Sequence, residues 1–445
     1  MSIVTEYARR IEDGLRLGIA TESTHRPALK TLIESFGSIT ATNEPKRVEC
    51  GAPDFDISRR TRIGKLTVGY VETKDVGESL DAAEKSDQLK RYLGALPNLI
   101  LTDYLEFRLY ADGRFNSSAR LGRWARGRLE IQPGGPESVQ ALILDFLARE
   151  PAKVGRPREL AERMARLAHL IRDVVIEAFA RGRASEMITD LRGAFARALI
   201  PGLDSPEKTA EFADMFAQTL AYGLFAARCN HAGPGPFQRL GAASEIPKTS
   251  PFLRRLFETL TGTELDDEPY VVFVDDLVSL LTHADMDAVL REFGSRTRQA
   301  DPIVHFYETF LAAYDPRLRE MRGVYYTPDP VVSYIVRSVD HLLRTEFGCP
   351  GGLADTTQIE YERRVNGETV KATCPRVLVL DPACGTGTFI YAVTDLARER
   401  FRERRDAGMW SDYVREHLLP RLFGFELLMA PYAVAHLKLG MQLAG

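Results

Sequence analysis

Apolar positions in the first 150 residues follow two different periods. In segments 5–18 and 26–37 they recur every three or four positions, which predicts a pair of helices. Alternation or short apolar runs predict strands in segments 47–51, 53–58, 66–74, 98–103 and 106–113. The helical period returns in segments 82–96 and 136–150. The pattern therefore predicts a mixed α/β domain over residues 1–152, closed by the Gly-Arg-Pro of residues 155–157.

Helical periodicity dominates the middle of the chain, for example in segments 157–180, 205–227 and 301–315. It predicts an all-α spacer over residues 153–320. A third part, residues 321–445, opens with a helix and a glycine-rich loop and then alternates strands with helices. Such alternation predicts a parallel sheet. The run Val-Leu-Val-Leu before Asp381 predicts a strand that is buried on both faces.

Composition adds limits to this picture. A chain of 445 residues with 44% hydrophobic and 27% charged residues can form two or three domains. No apolar run of transmembrane length and no signal-peptide pattern is present, so we expect a cytoplasmic protein without a membrane partner. The five cysteines are scattered and form no Cys-x-x-Cys pair, which favours reduced thiols. The net charge of -4 does not by itself indicate nucleic-acid binding.

The stretch DPACGTGTFI, residues 381–390, carries the first chemical signal. Asp381 ends the predicted strand, and Gly385 and Gly387 allow a sharp turn and the close approach of a ligand. The helix that follows offers free N–H groups to an anion. Glu426 ends the next predicted strand, where a carboxylate can bind both hydroxyls of a ribose. These features predict a nucleoside site, and a tight strand-to-helix turn is the alternative.

Together with the sequence GVYYTP about 55 residues upstream, this loop resembles the N6-adenine DNA methyltransferases of restriction-modification systems. The resemblance implies S-adenosylmethionine as cofactor and the start of a Rossmann-like methyltransferase sheet. It implies that the loop surrounds the methionine moiety, that Glu426 binds the ribose, and that the upstream segment closes the pocket. The residues so implied are Asp381, Ala383, Gly385, Gly387, Phe389 and Glu426, with Tyr326, Thr327 and Pro328.

Members of that family transfer the methyl group with a further motif, Asn/Asp-Pro-Pro-Tyr/Phe, which holds the flipped adenine. No such motif follows Glu426, and the Met-Ala-Pro-Tyr of residues 429–432 has a single proline with no amide or carboxylate before it. We therefore expect no methyl transfer from this chain alone. A second chain that carries the rest of the methyltransferase and a recognition domain is an expected partner.

A second constellation lies near the N-terminus, in PDFDI (53–57) and GYVETK (69–74). Strand alternation places Glu72 and Lys74 on one face, where both can point toward Asp54 on a neighbouring strand. Two carboxylates on adjacent strands form a hard-oxygen site suited to Mg²⁺, and the lysine can orient a water molecule. Asp56 is an alternative to Asp54. A chance Asp…Glu-x-Lys pattern is an alternative to the whole site.

These residues resemble the PD-(D/E)xK nuclease core. The resemblance implies that Asp54, Glu72 and the carbonyl of Thr73 bind the metal ion and that Lys74 is catalytic. Gln88 and Tyr92 lie four residues apart on a predicted helix and resemble the accessory Gln-x-x-x-Tyr motif, which lies near the metal site and the DNA backbone in such nucleases. Glu22 matches the acidic residue on the first helix of such cores. An exposed glutamate without a role is the alternative.

The order of nuclease core, helical spacer and methyltransferase front half resembles single-chain type IIG restriction-modification enzymes. The expected fold is therefore a multi-domain α/β protein with a mixed-sheet nuclease core. The expected function is metal-dependent cleavage of double-stranded DNA, joined to an adenine-specific methyltransferase module. The alternative is a non-catalytic, cofactor-binding subunit that assembles with a separate chain.

Overall fold

The computed structural model describes the chain in the ranges 2–17, 21–43, 51–61, 64–149, 154–198, 200–231, 233, 235–245, 251–296, 302–317, 327–365, 368–403, 409–426 and 429–444. Its mixed α/β architecture confirms the expected fold class at that level. None of the helices in these ranges combines the length and apolar character that crossing a lipid bilayer requires.

A six-stranded mixed sheet organises the N-terminal part. Its strands lie in the order β1-β2-β3-β4-β5-β6, and all neighbours are antiparallel except β3 and β4. The chain passes from β3 to its parallel neighbour β4 through two short helices, as such a crossover requires. The elements are α1 (Ile3–Arg16), α2 (Glu22–Glu34), β1 (Ile39–Thr42), β2 (Phe55–Thr61), β3 (Gly64–Thr73), α3 (Leu80–Ala83), α4 (Asp87–Ala95), β4 (Asn98–Thr102), β5 (Glu106–Ala111), β6 (Arg114–Arg120), a hairpin of β7 (Gly122–Ala125) and β8 (Arg128–Ile131), and α5 (Gly135–Ala148).

Both faces of this sheet are covered by helices. Phe55 and Val71 pack on one face in a core that also includes side chains of α1, α2 and α5. Tyr70 and Leu99 face the other way and pack in a core with Leu160 of helix α6 (Pro157–Ala180). Because successive residues of a strand point to opposite faces, the neighbours Tyr70 and Val71 belong to different cores.

The described residues between 154 and 317 form helices packed around apolar side chains. Helix α6 has the bounds that its period predicts, with Pro157 in the first turn, where its missing N–H costs no hydrogen bond. Phe306, Tyr307 and Phe310 lie in this core, where the Phe306 ring stacks on Phe225 at a centroid distance of 3.7 Å. The other helices are α7 (Glu186–Ala198), α8 (Thr209–Asn230), α9 (Pro251–Thr261), α10 (Val271–His283), α11 (Met286–Arg296) and α12 (Pro302–Tyr314).

A buried acid connects the sheet to these helices. The Tyr70 hydroxyl on β3 donates a hydrogen bond to Asp276 on α10, beside a cavity of about 100 Å³. Burial raises the pKa of Asp276 to about 7, hydrogen bonds from Tyr70 and Thr67 oppose the shift, and the negative charge of Asp56 adds to it. Asp276 therefore changes its charge near neutral pH at the junction of the two parts.

We expect Asp276→Asn to remove a pH dependence of stability. Because folding raises the pKa of Asp276, its stabilising contribution is complete below about pH 4 and is lost as the pH rises through 7. Between about pH 4 and pH 7, the free energy of unfolding of the wild type should fall by up to about 1.4 kcal/mol per pH unit. Asparagine can still accept the Tyr70 hydrogen bond, so the variant should be the more stable protein at pH 8.

Urea unfolding at half-unit pH steps measures this difference. Asp287→Asn is the matched control, because it removes the same charge at an exposed position on the next helix. The control should keep the slope of the wild type. If Asp276→Asn also keeps this slope, the pH dependence of stability does not come from Asp276.

The C-terminal part contains a short parallel strand pair. Strands β11 and β12 pair in the register Val379 to Leu422 and Asp381 to Gly424, as the alternation of strands and helices predicts. The elements are α13 (Asp329–Thr345), the hairpin of β9 (Gln358–Val365) and β10 (Glu368–Pro375), β11 (Val379–Asp381), α14 (Thr388–Glu403), α15 (Trp410–Tyr413), β12 (Leu422–Gly424) and α16 (Met429–Ala444).

Two expectations about this part are wrong. The strand before the glycine loop begins only at Val379, and the side chains of Leu378 and Leu380 are both 56% exposed. The prediction of burial on both faces fails because the face that carries Leu378 and Leu380 borders a cavity of about 390 Å³ instead of packed side chains. A hairpin of two eight-residue strands, β9 and β10, lies where the sequence predicts only a loop.

Candidate functional site

The predicted nuclease residues meet where β2 begins and β3 ends. Phe55 and Val71 form the outermost pair between these strands, and Asp54 and Glu72 each stand one residue beyond it. Both carboxylates are buried, with relative exposures of 3% and 4%. Such burial is costly for a charge unless partners stabilise it, so the contacts of each carboxylate identify what the site is built to hold.

Asp54 is held by two neighbours. Its Oδ2 accepts hydrogen bonds from the backbone N–H of Thr73 at 2.6 Å and from the Thr73 hydroxyl at 2.7 Å. Its Oδ1 accepts from Nη2 of Arg26 on helix α2 at 2.5 Å. The alternative residue Asp56 lies further along β2, opposite Tyr70, and its charge acts on Tyr70 and Asp276. The geometry thus places Asp54, rather than Asp56, beside the Glu-x-Lys segment.

Glu72 and Lys74 point the same way, as strand alternation predicts. Nζ of Lys74 lies 2.8 Å from Oε1 of Glu72, and the lysine side chain is 20% exposed. Helix α4 adds Gln88, whose Nε2 lies 3.5 Å from the same oxygen and 2.9 Å from the Tyr92 hydroxyl. Tyr92 in turn donates to the carbonyl of Gly51 at 2.5 Å. The structure therefore brings together Glu72, Lys74, Gln88 and Tyr92.

Burial and two nearby carboxylates determine the pKa of Tyr92. Burial raises that pKa well above its ordinary value, and the charges of Glu72 and Asp54 raise it further. Both carboxylates therefore act on one phenol, which stays protonated at neutral pH. The protonated hydroxyl donates to the Gly51 carbonyl and accepts from Gln88, so it connects helix α4 to a residue three positions before Asp54.

The donor atoms here fit Mg²⁺. Carboxylate oxygens of Asp54 and Glu72 and the carbonyl of Thr73 are the hard ligands that this ion prefers. No group of three His, Cys, Asp or Glu side chains in the described ranges forms a metal-binding cluster. The predicted set has only two such side chains, so water and a substrate phosphate would supply the remaining ligands, as is usual for Mg²⁺.

The predicted nucleoside loop turns at two glycines with positive φ. Gly385 and Gly387 adopt φ values of +55° and +77°, in the left-handed region that favours glycine. A Cβ added at Gly385 would meet no atom within 4 Å, whereas one added at Gly387 would lie 3.2 Å from Cβ of Ala435. Gly387 is therefore required by packing against helix α16, and Gly385 leaves open space above the loop.

Asp381 and Glu426 flank this loop, as predicted. The backbone N–H of Gly385 donates to Oε2 of Glu426 at 2.9 Å, and the N–H of Ala383 donates to Oδ1 of Asp381 at 3.2 Å. Burial first, and then the charges of Asp381 and Glu426, raise the pKa of the Cys384 thiol to about 11. The thiol is thus protonated at neutral pH, and both carboxylates accept hydrogen bonds from the backbone of the loop.

The remaining predicted cofactor residues are less closely gathered. Tyr326 lies outside the described residues. Thr327 and Pro328 directly precede helix α13, which begins at Asp329. Residues of α13 line a cavity of about 390 Å³ together with Asp381 and Phe389, so the upstream helix and the glycine loop border one space.

Arg26 is a residue of this site that the sequence analysis did not predict. It lies on helix α2, 28 residues before Asp54, and no spacing rule connects the two positions. The cue that was available is the predicted acidic residue Glu22, because a residue four positions later shares its helix face. The Glu22 side chain itself lies outside the described part of the chain.

Comparison with known proteins adds the following. No protein-family model matches the sequence, and no curated protein matches it. Among solved structures, the chain is similar to a DrdV–DNA complex, with 20% identity and a TM-score of 0.35, over 99% of this chain and 38% of that one. It thus spans less than half of the DrdV chain.

Two further structures are of type ISP restriction-modification enzymes. A nuclease-deletion mutant of LlaGI with a DNA substrate mimic has 18% identity and a TM-score of 0.35, over 69% of this chain and 21% of that one. ATP-dependent LlaBIII bound to DNA has 18% identity and a TM-score of 0.39, over 69% of this chain and 18% of that one. TM-scores this low assign neither a fold nor an activity to this chain.

Proposed function

We propose that the chain is a restriction-modification protein that joins a metal-dependent DNA endonuclease to a cofactor-binding module of the adenine-N6 DNA methyltransferase type. The observation that carries the nuclease proposal is the contact of Lys74 with Glu72 next to Asp54 at the ends of two paired strands. The Gln88 and Tyr92 contacts support it, because they hold Glu72 in place from a separate helix.

The proposed roles follow from these contacts. Mg²⁺ bound at Asp54 and Glu72 would stabilise charge on the scissile phosphate and lower the pKa of a bound water. Lys74 would orient that water, since its ammonium lies 2.8 Å from Glu72 and is partly open to solvent. Gln88 would fix the direction of the Glu72 carboxylate through its contact at 3.5 Å. Double-stranded DNA is the proposed substrate.

The proposal for the C-terminal module rests on the glycine loop. The open space at Gly385 and the adjacent carboxylate of Glu426 suit a nucleoside whose ribose hydroxyls donate to an acid. S-adenosylmethionine, when bound, would supply the methyl group.

Two assays on the purified chain test this proposal. Plasmid DNA should be nicked or cut with Mg²⁺ or Mn²⁺ and left intact with Ca²⁺, which has the wrong coordination for this chemistry. Calorimetry should detect S-adenosylmethionine binding. Absence of cleavage with both active metals would refute the nuclease half, and absence of cofactor binding would refute the second half.

A second function is favoured by one observation. Leu378 just before β11, Leu380 on β11 and Phe425 after β12 are each more than half exposed. Exposed apolar residues at the edge of a short parallel sheet suit a non-catalytic subunit that assembles with a separate chain completing the methyltransferase. A chain that binds S-adenosylmethionine but fails to cut DNA under all metal conditions would favour this function.

A further inference from the structure

The contact between Arg26 and Asp54 crosses from helix α2 to the start of β2. The Arg26 side chain is 11% exposed and that of Asp54 is 3% exposed, so water screens the pair only weakly. A guanidinium at 2.5 Å neutralises the carboxylate on which the proposed metal site depends. A metal ion that binds Asp54 must therefore compete with a cation that the protein itself supplies.

The other donors to Asp54 cannot withdraw as easily. The Thr73 backbone N–H belongs to strand β3, which pairs with β4 at this position, so its place is fixed by the sheet. Arg26 reaches Asp54 through the rotatable bonds of a long side chain. When Oδ1 of Asp54 exchanges its partner, Arg26 is the group that moves.

We propose that Arg26 is a displaceable cation, which neutralises Asp54 in the metal-free protein, leaves it when a divalent ion binds, and then contacts a phosphate of DNA. The inference rests on the nuclease function proposed above. A guanidinium and a divalent cation repel each other at one carboxylate. The released guanidinium has the planar fork of donors that matches phosphate oxygens.

Calcium binding to the full chain, measured by calorimetry without DNA, tests the first half. Arg26→Gln should bind Ca²⁺ about tenfold more tightly, because it removes the competing charge and keeps a neutral donor. Arg26→Lys keeps the charge and should stay close to the wild type. Lys30→Gln is the matched control, since it removes the same charge one turn further along α2, where Lys30 contacts the Ala41 carbonyl.

DNA binding in saturating Ca²⁺, measured by fluorescence anisotropy, tests the second half. Here Arg26→Gln should weaken binding about tenfold, opposite in direction to its effect on Ca²⁺ alone. A residue that merely held Asp54 in place would weaken both equilibria when substituted. The opposite signs are therefore the signature of a cation that exchanges partners.

The outcomes separate this inference from the proposed function. If Asp54→Ala abolishes Ca²⁺ binding but Arg26→Gln leaves it unchanged or weaker, the metal site stands and the role of Arg26 is refuted. Unchanged DNA binding by Arg26→Gln refutes the transfer to phosphate. If neither the wild type nor Arg26→Gln binds Ca²⁺ or Mn²⁺, the metal site and the inference fail together.

Discussion

Glu72→Gln should reduce DNA cleavage by about a thousandfold. The substitution keeps the size of the side chain and its ability to accept from Gln88, but it removes the charge that Lys74 contacts at 2.8 Å. Without that charge, the site loses a metal ligand and the lysine loses its ion-pair partner. Initial rates of plasmid cleavage at saturating Mg²⁺ measure the loss.

The matched control is Glu106→Gln, on strand β5 of the same sheet. Glu106 is partly buried and pairs with Arg108, so its substitution tests whether loss of any ion-paired carboxylate in the sheet impairs the protein. The control should cleave within about twofold of the wild type. Cleavage by Glu72→Gln within tenfold of the wild type, with both variants folded, would remove Glu72 from the proposed metal site.

Gly385→Asn should abolish the binding of S-adenosylmethionine, with an affinity at least about a hundredfold lower. The new side chain would occupy the open space above the loop, where the proposed cofactor approaches. Asparagine tolerates the left-handed φ of +55° better than other non-glycine residues, so the fold should be retained. Calorimetry gives the affinity, and circular dichroism gives the melting temperature.

Gly182→Asn provides the comparison. Gly182 has a φ of +66° and likewise has no atom within 4 Å of an added Cβ, so the two substitutions introduce the same backbone strain. This control should bind the cofactor like the wild type. If Gly385→Asn also binds like the wild type, the open space at residue 385 does not receive the cofactor.

The local pattern predicted those features that depend on neighbours in sequence. Helix α6 followed from a long, uninterrupted amphipathic period, and the contact of Gln88 with Tyr92 followed from their spacing of four. The predicted single helix 82–96 is instead two, α3 and α4. Ser86 accepts from the N–H of Leu89 at 3.2 Å and so starts a new helix within that segment.

Features that depend on distant contacts or lack a buried face could not be predicted in this way. Strand β1 has only four residues, too few for a period to appear. Hairpin β9–β10 carries apolar residues at alternate positions, 359 and 361 and then 370, 372 and 374, but it is largely exposed, so no buried face accompanies that pattern. Arg26 meets Asp54 only after the helix packs on the sheet, and the exposure of Leu380 depends on what covers its face of β11.

The short pair of β11 and β12 has a thermodynamic consequence. Three-residue strands with exposed side chains gain little free energy from burial. The shape of the glycine loop therefore depends on a few hydrogen bonds, such as the one that the backbone N–H of Cys384 donates to the Phe425 carbonyl. A ligand that bridges the loop and Glu426 would therefore stabilise the local fold as it binds. Occupancy and folding of this corner are then linked equilibria, and the concentration of the ligand sets how firmly the loop is formed.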